Sequence, residues 1–152
     1  MAKLLTTSLL LLFTFLSCKE NQPLPNETTV KYGTSFGFCI GYCNETITLT
    51  NRSISYEKSS NNAHQEYPVI TCTEGFNDWN NLTSKIDIDL FQAMDETIGC
   101  PDCADGGAEW IEINTGEKVH RVSFEYNNTP GAFFNYIEIL RDSMESMGDN
   151  CE

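Results

Sequence analysis

Cysteines constrain this chain more than anything else in it. There are seven, at positions 18, 39, 43, 72, 100, 103 and 151. Cys18 stands apart from the others. It follows the apolar run Leu4 to Leu16, which is headed by Lys3 and broken only by Thr6, Thr7, Ser8 and Thr14. A run that short does not span a bilayer and reads as an export leader over residues 1–17. An even set of cysteines then remains in an exported chain, which reads as three disulfides. Spacing suggests the local pairs Cys39–Cys43 and Cys100–Cys103, which leaves Cys72–Cys151. A swapped pairing, such as Cys39 with Cys72, stays open. In chain-entropy terms a closed loop of about eighty residues contributes roughly 4–5 kcal/mol and a five-residue loop about 2. Cys72–Cys151 would therefore be the main staple, with the short pairs shaping loops.

The leader ends in Phe15-Leu16-Ser17-Cys18, which resembles a bacterial lipobox. The resemblance implies cleavage before Cys18, a lipid on Cys18 and anchoring to a bacterial membrane, on its periplasmic side or at the cell surface. Lys19 to Thr29 is polar and holds Pro23 and Pro25, so it reads as a tether. The expected organisation is a signal peptide over 1–17, a lipidated tether over 18–29 and a single domain over 30–152. The chain carries 22 acids against nine bases, and the leader holds one of those bases, Lys3. So acidic a surface repels nucleic acid. The expected partners are the membrane, through Cys18, and a protein not identifiable from sequence.

Hydrophobic periodicity sets the expected fold. Ile47 and Leu49 alternate on one face, Asn51-Arg52-Ser53 turns, and Ile54 and Tyr56 resume, which reads as a hairpin. Val30 to Cys43 is rich in glycine and aromatic residues, and two glycines around the CxGxC allow the tight backbone path that a bridged five-residue loop requires. Glu57 to Tyr67 reads as a loop or a frayed hairpin end, and Pro68 to Cys72 as a short strand. Trp79, Leu82 and Ile86, then Leu90, Phe91, Met94 and Ile98, have helical spacing, giving one bent helix or two short ones with Asp87 as a cap. Ile111 and Ile113 share a face with Trp110 on the other. Thr115-Gly116 turns the chain, and His120, Val122, Phe124 and Tyr126 form the return strand. Thr129 and Pro130 would open a final helix with the stripe Phe133, Ile137, Leu140, Met144 and Met147, ended by Gly148. The order hairpin, helix, hairpin, helix predicts an α+β fold: two layers, a four- or five-stranded antiparallel sheet with two helices on one face, stapled by disulfides.

Cys39-Ile-Gly-Tyr-Cys43 and the hairpin after it resemble an uncharacterised family of bacterial envelope lipoproteins. Those carry a Cys-aromatic-Gly-x-Cys-Pro motif ahead of a hairpin, a helix, a second hairpin and a last helix near a proline. Ile40 stands here where the family has the aromatic residue, and Asn44 where it has the proline. The resemblance implies the same order of elements and an envelope location, and it brings no catalytic residues.

The stretch Cys100-Pro-Asp-Cys-Ala-Asp-Gly-Gly-Ala-Glu-Trp110 is the densest in chemistry. Acidic neighbours Asp102, Asp105 and Glu109 disfavour a thiolate, which speaks against a redox pair. A Cys₄ zinc site from Cys39, Cys43, Cys100 and Cys103 needs free thiolates, which an oxidising compartment does not favour. The carboxylates of Asp102, Asp105, Glu109 and Glu112 do not follow the EF-hand order. His64 falls in a polar loop and His120 on a strand, and no HExxH or phosphate loop is present. The reading that follows is a non-catalytic binding or inhibitor-like module with no cofactor. Its contact surface would be the sheet face bearing Trp110, with Asp102, Asp105 and Glu109 beside it. The alternative is a metal- or thiol-dependent envelope protein centred on the CPDCADGG loop.

Overall fold

The computed structural model describes residues 24–61 and 67–151. The leader, Cys18 and His64 lie outside the described residues. Seven strands form one sheet: β1 (Thr29–Ser35), β2 (Asn44–Leu49), β3 (Ser53–Ser59), β4 (Ile70–Gly75), β5 (Thr97–Ile98), β6 (Ala108–Asn114) and β7 (Val119–Glu125). Their spatial order is β4-β3-β2-β1-β6-β7-β5. Every pairing is antiparallel except the two-residue parallel contact of β5 with β7. Two five-residue helices, α1 (Trp79–Thr83) and α2 (Ile88–Gln92), precede one long helix, α3 (Phe134–Asn150).

This corrects the expected sheet of four or five antiparallel strands under two helices. The sheet is seven-stranded and mixed, and its second layer is one long helix with two short ones. The largest departure is β1, where no strand was expected and the central strand is found. Val30, Tyr32 and Thr34 alternate inward there, and β1 pairs from Val30 onward with β2 on one side and over its whole length with β6 on the other. Gly33 masks the pattern for a structural reason. A Cβ there would lie 2.6 Å from the Glu45 carbonyl oxygen and 2.6 Å from the Trp110 ring, so only glycine lets that ring lie down on the sheet.

One face of the sheet forms the core. Val30, Tyr32, Ile47, Leu49, Ile111, Ile113, Val122 and Phe124 are all buried. Against them pack Phe133, Ile137, Leu140 and Met144 from the α3 segment, with Leu82 of α1 and Phe91 of α2. Asp87 does cap α2, its Oδ1 accepting from the Leu90 N–H at 3.1 Å. Thr129 and Pro130 do not start α3: a 3₁₀ turn at Gly131–Phe133 intervenes, and the Thr129 hydroxyl accepts instead from Arg141 Nη2 at 3.2 Å. Gly148 lies inside α3, where a Cβ would stand 3.3 Å from the Tyr56 hydroxyl. That glycine admits a close crossing rather than ending the helix. The domain also reaches further back than residue 30, since Leu24 and Thr28 are buried.

The disulfides are Cys39–Cys43, Cys72–Cys151 and Cys100–Cys103. Cys72–Cys151 ties the end of α3 to the edge strand β4.

Candidate functional site

The antiparallel register sorts the connections to two ends of the sheet. The start of β1 and the turns β2–β3 and β6–β7 lie at one end, because Thr29 pairs with Asn114 and Val30 with Leu49. At the other end Ser35 pairs with both Asn44 and Ala108, and Asn44 pairs with Ser59. Both small disulfide loops, 36–43 and 99–107, therefore sit together at that second end, with the turn after β7.

The loop 36–43 is held by its backbone and open at its tip. The Phe36 N–H donates to the Cys43 carbonyl at 3.0 Å, and the Cys43 N–H to the Ser59 carbonyl at 2.9 Å. Asn61 Nδ2 donates to the carbonyls of Phe36 and Gly37 at 2.7 and 2.9 Å, and Asn44 Nδ2 orients it by donating to Asn61 Oδ1 at 2.9 Å. The Gly37 N–H donates to Asp102 Oδ2 at 3.0 Å, while Asp102 Oδ1 accepts from the Gly107 N–H at 3.1 Å. One carboxylate thus laces the two disulfide loops together. Phe36 packs edge-on to Tyr126 at 5.0 Å. Gly107 has φ +81°, and a Cβ on it would lie 2.3 Å from the Phe36 ring, so the second glycine of the Gly-Gly pair is demanded twice over. On the other flank Tyr42 meets Tyr67 at 5.7 Å, with Lys58 Nζ 5.2 Å above the Tyr42 ring. Despite all this fastening, Phe38 is 86% exposed and Ile40 96% exposed.

The residues expected to form a contact surface separate. Asp102 is spent on the backbone bonds just described, and Asp105 is exposed. Trp110 lies on the sheet face away from α3, as its alternation with Ile111 requires, but it is only 9% exposed. It is sandwiched between Gly33 and the Arg121 guanidinium, which stacks 3.7 Å from the ring centroid. Arg121 has to move before a partner can reach that indole.

Glu109 faces the opposite way, toward α3, and is fully buried. Arg141 Nη2 donates to both its oxygens at 3.0 and 2.8 Å, the Tyr32 hydroxyl donates at 2.8 Å, and the Asn127 N–H donates at 3.0 Å. Arg141 also pairs with Glu138 one turn earlier on the helix. Burial, together with the charge of Glu109, pushes the Tyr32 phenol well above its ordinary value. Burial works against the Arg141 charge, but Glu109 and Tyr32 outweigh it and the net shift is upward. A carboxylate satisfied from three sides and shut off from solvent holds sheet to helix and offers nothing to a ligand.

Beside this network a groove of about 660 Å³ opens between α3 and the ends of β2 and β3, lined by Glu45, Tyr56, Lys58, Tyr126, Glu145 and Asp149 among others. Burial and the Glu45 carboxylate push the Tyr56 phenol up to about 12, so it is neutral there. His120 packs edge-on to the Phe91 ring at 5.3 Å on the core side of β7. The sulfurs of Cys39, Cys43, Cys100 and Cys103 are taken up in two disulfides. Among the described residues, no cluster of three or more His, Cys, Asp or Glu side chains is arranged to hold a metal ion.

Phe38, Ile40 and Asn61 are the residues that sequence reasoning passed over. A signal for the first two was present: apolar side chains inside or beside a five-residue disulfide loop have almost no core to reach. No family model matches the chain, and no curated protein matches it either.

Proposed function

We propose that this chain is an exported, lipid-tethered binding module of the bacterial envelope, acting by contact rather than catalysis, and that its contact surface is the end of the sheet bearing the two disulfide loops. The observation that carries the reading is the 36–43 loop: its backbone is fastened by a disulfide, by Asn61 and by Asp102, while Phe38 and Ile40 stand in solvent. Exposed aromatic and aliphatic side chains on a preorganised backbone are what an interface anchor requires, because little ordering entropy is left to lose on binding. The lipobox-like Cys18 supports the tether, and the acidic composition supports a partner of opposite charge.

Two measurements test the two halves. Palmitate labelling in the producing cell should mark the chain and should vanish for Cys18→Ser; an unlabelled wild-type chain removes the tether. A photo-crosslinker placed at Phe38 should give a discrete product in the cell, and one at the exposed Thr73, on the face away from α3, should not. The reverse pattern moves the contact surface to that face.

A further inference from the structure

Resting on the binding-module reading, we infer that the Cys39–Cys43 loop is a protease-blocking loop: Phe38 fills the apolar primary pocket of a cationic serine endoprotease, which holds the loop without turning it over. Three observations converge on one occupant. Phe38 is an aromatic side chain at 86% exposure on a loop fastened by its disulfide and by Asp102. The two carbonyls immediately before it, of Phe36 and Gly37, are both held by one side chain, Asn61, itself oriented by Asn44. The disulfide closes the chain immediately after it, at Cys39–Cys43. A peptide segment restrained on both sides of one exposed residue resists the distortion and the separation of ends that hydrolysis needs, so it binds as substrate does and is released slowly.

Charge and position argue against a lipid surface as the occupant. Glu45, Glu57, Asp105 and Glu125 surround this end of the sheet, against Lys58. Anionic headgroups are repelled by such a rim, and a cationic protein is drawn to it. The tip also lies at the far end of β1 from the N-terminal tether, about 20 Å away at the rise of an extended strand.

The test uses the full chain, purified in detergent with its disulfides formed, and two cationic probes that differ in the primary pocket: chymotrypsin, with an apolar slot, and trypsin, with an acidic one. Chymotrypsin should be inhibited reversibly at micromolar concentration or tighter, more weakly as salt rises, and trypsin should not. Phe38→Ala should weaken inhibition by at least about 30-fold, the loss expected of an interface hot spot, without moving the thermal midpoint, since the side chain is in solvent. Phe38→Lys should transfer inhibition to trypsin, which a merely sticky surface would not do. Failure to inhibit chymotrypsin, or cleavage after Phe38 at the rate of an ordinary substrate, overturns the inference. If that happens while the crosslink from position 38 survives in the cell, the binding-module reading stands with a different partner. If a chain with both Phe38→Ser and Ile40→Ser instead loses binding to phosphatidylcholine vesicles that the wild type retains after Cys18→Ser, the loop is a lipid wedge and the protease inference falls.

Discussion

Glu109 and Arg141 divide their interaction unequally. The carboxylate is fully buried, whereas the arginine side chain is 27% exposed. Removing the carboxylate leaves a guanidinium that water and Glu138 still reach; removing the arginine leaves a charge in the core with only Tyr32 and the Asn127 N–H to satisfy it. Breaking a buried pair costs about 3–5 kcal/mol, so Glu109→Ala should fall near the lower bound and Arg141→Ala near the upper. Urea denaturation of the two variants checks this, and the opposite ranking would mean that the arginine is the more deeply committed partner. A second residue-scale expectation concerns acid. The Glu125 carboxyl lies below its ordinary value because Asn128 Nδ2 donates to it at 2.6 Å and the Cys100 N–H at 3.0 Å. A depressed carboxyl stabilises above its unfolded value and loses that contribution as pH falls through the folded one. Hydrogen exchange at the Cys100 amide should therefore become less protected, relative to the rest of the sheet, as pH falls below the ordinary glutamate range. In Glu125→Gln that pH dependence should disappear.

At the scale of elements, strands with strong alternation on a half-buried face were readable, and those whose pattern is interrupted were not. β2, β3, β6 and β7 announce themselves through Ile47 and Leu49, Ile54 and Tyr56, Ile111 and Ile113, and Val122 and Phe124. β1 alternates equally well, but Gly33 and the glycines after it look like loop residues until Trp110 is seen lying over the strand. β5 is two residues long and exists only because β7 offers it an edge, so nothing local signals it. The helical spacing holds only as far as residue 92: the segment breaks into α1 and α2 because Asp87 caps the second helix afresh, and Ile98, expected on the same helix, lies in β5 instead. Site residues divide the same way. The inward orientation of Glu109 follows from its place one step from Trp110, whereas its partner Arg141 comes from a helix 32 residues on, a pairing no spacing rule supplies. These arguments make Gly33→Ala informative. Its new methyl would press on a backbone oxygen that cannot yield, so overpacking should cost about 1–3 kcal/mol and displace the Trp110 ring. A lower midpoint together with altered tryptophan emission is expected, and an unchanged midpoint would show that β1 can shift to make room.

Across the whole molecule the three disulfides have different tasks, and the difference can be measured. Cys72 and Cys151 are 79 residues apart in sequence and join the last turn of α3 to β4, an edge strand that is mostly exposed and has little core of its own. Constraining so long a loop contributes roughly 4–5 kcal/mol in the chain-entropy account, comparable with the entire stability of many domains of this size. Cys39 and Cys43 close only five residues, worth about 2 kcal/mol by the same account, but they hold the backbone from which Phe38 and Ile40 project. Stability and recognition should therefore separate. Cys72→Ser with Cys151→Ser should lower the denaturation midpoint sharply, while the protein still folded under mild conditions keeps its Phe38-dependent contact. Cys39→Ser with Cys43→Ser should move the midpoint less and weaken that contact more, since a loosened loop must be ordered again on binding. Paired unfolding curves and crosslinking yields from position 38 decide the matter. A short-loop variant that loses more stability than the long-loop one, or that crosslinks as well as the wild type, would make the 36–43 bridge part of the scaffold rather than part of the contact.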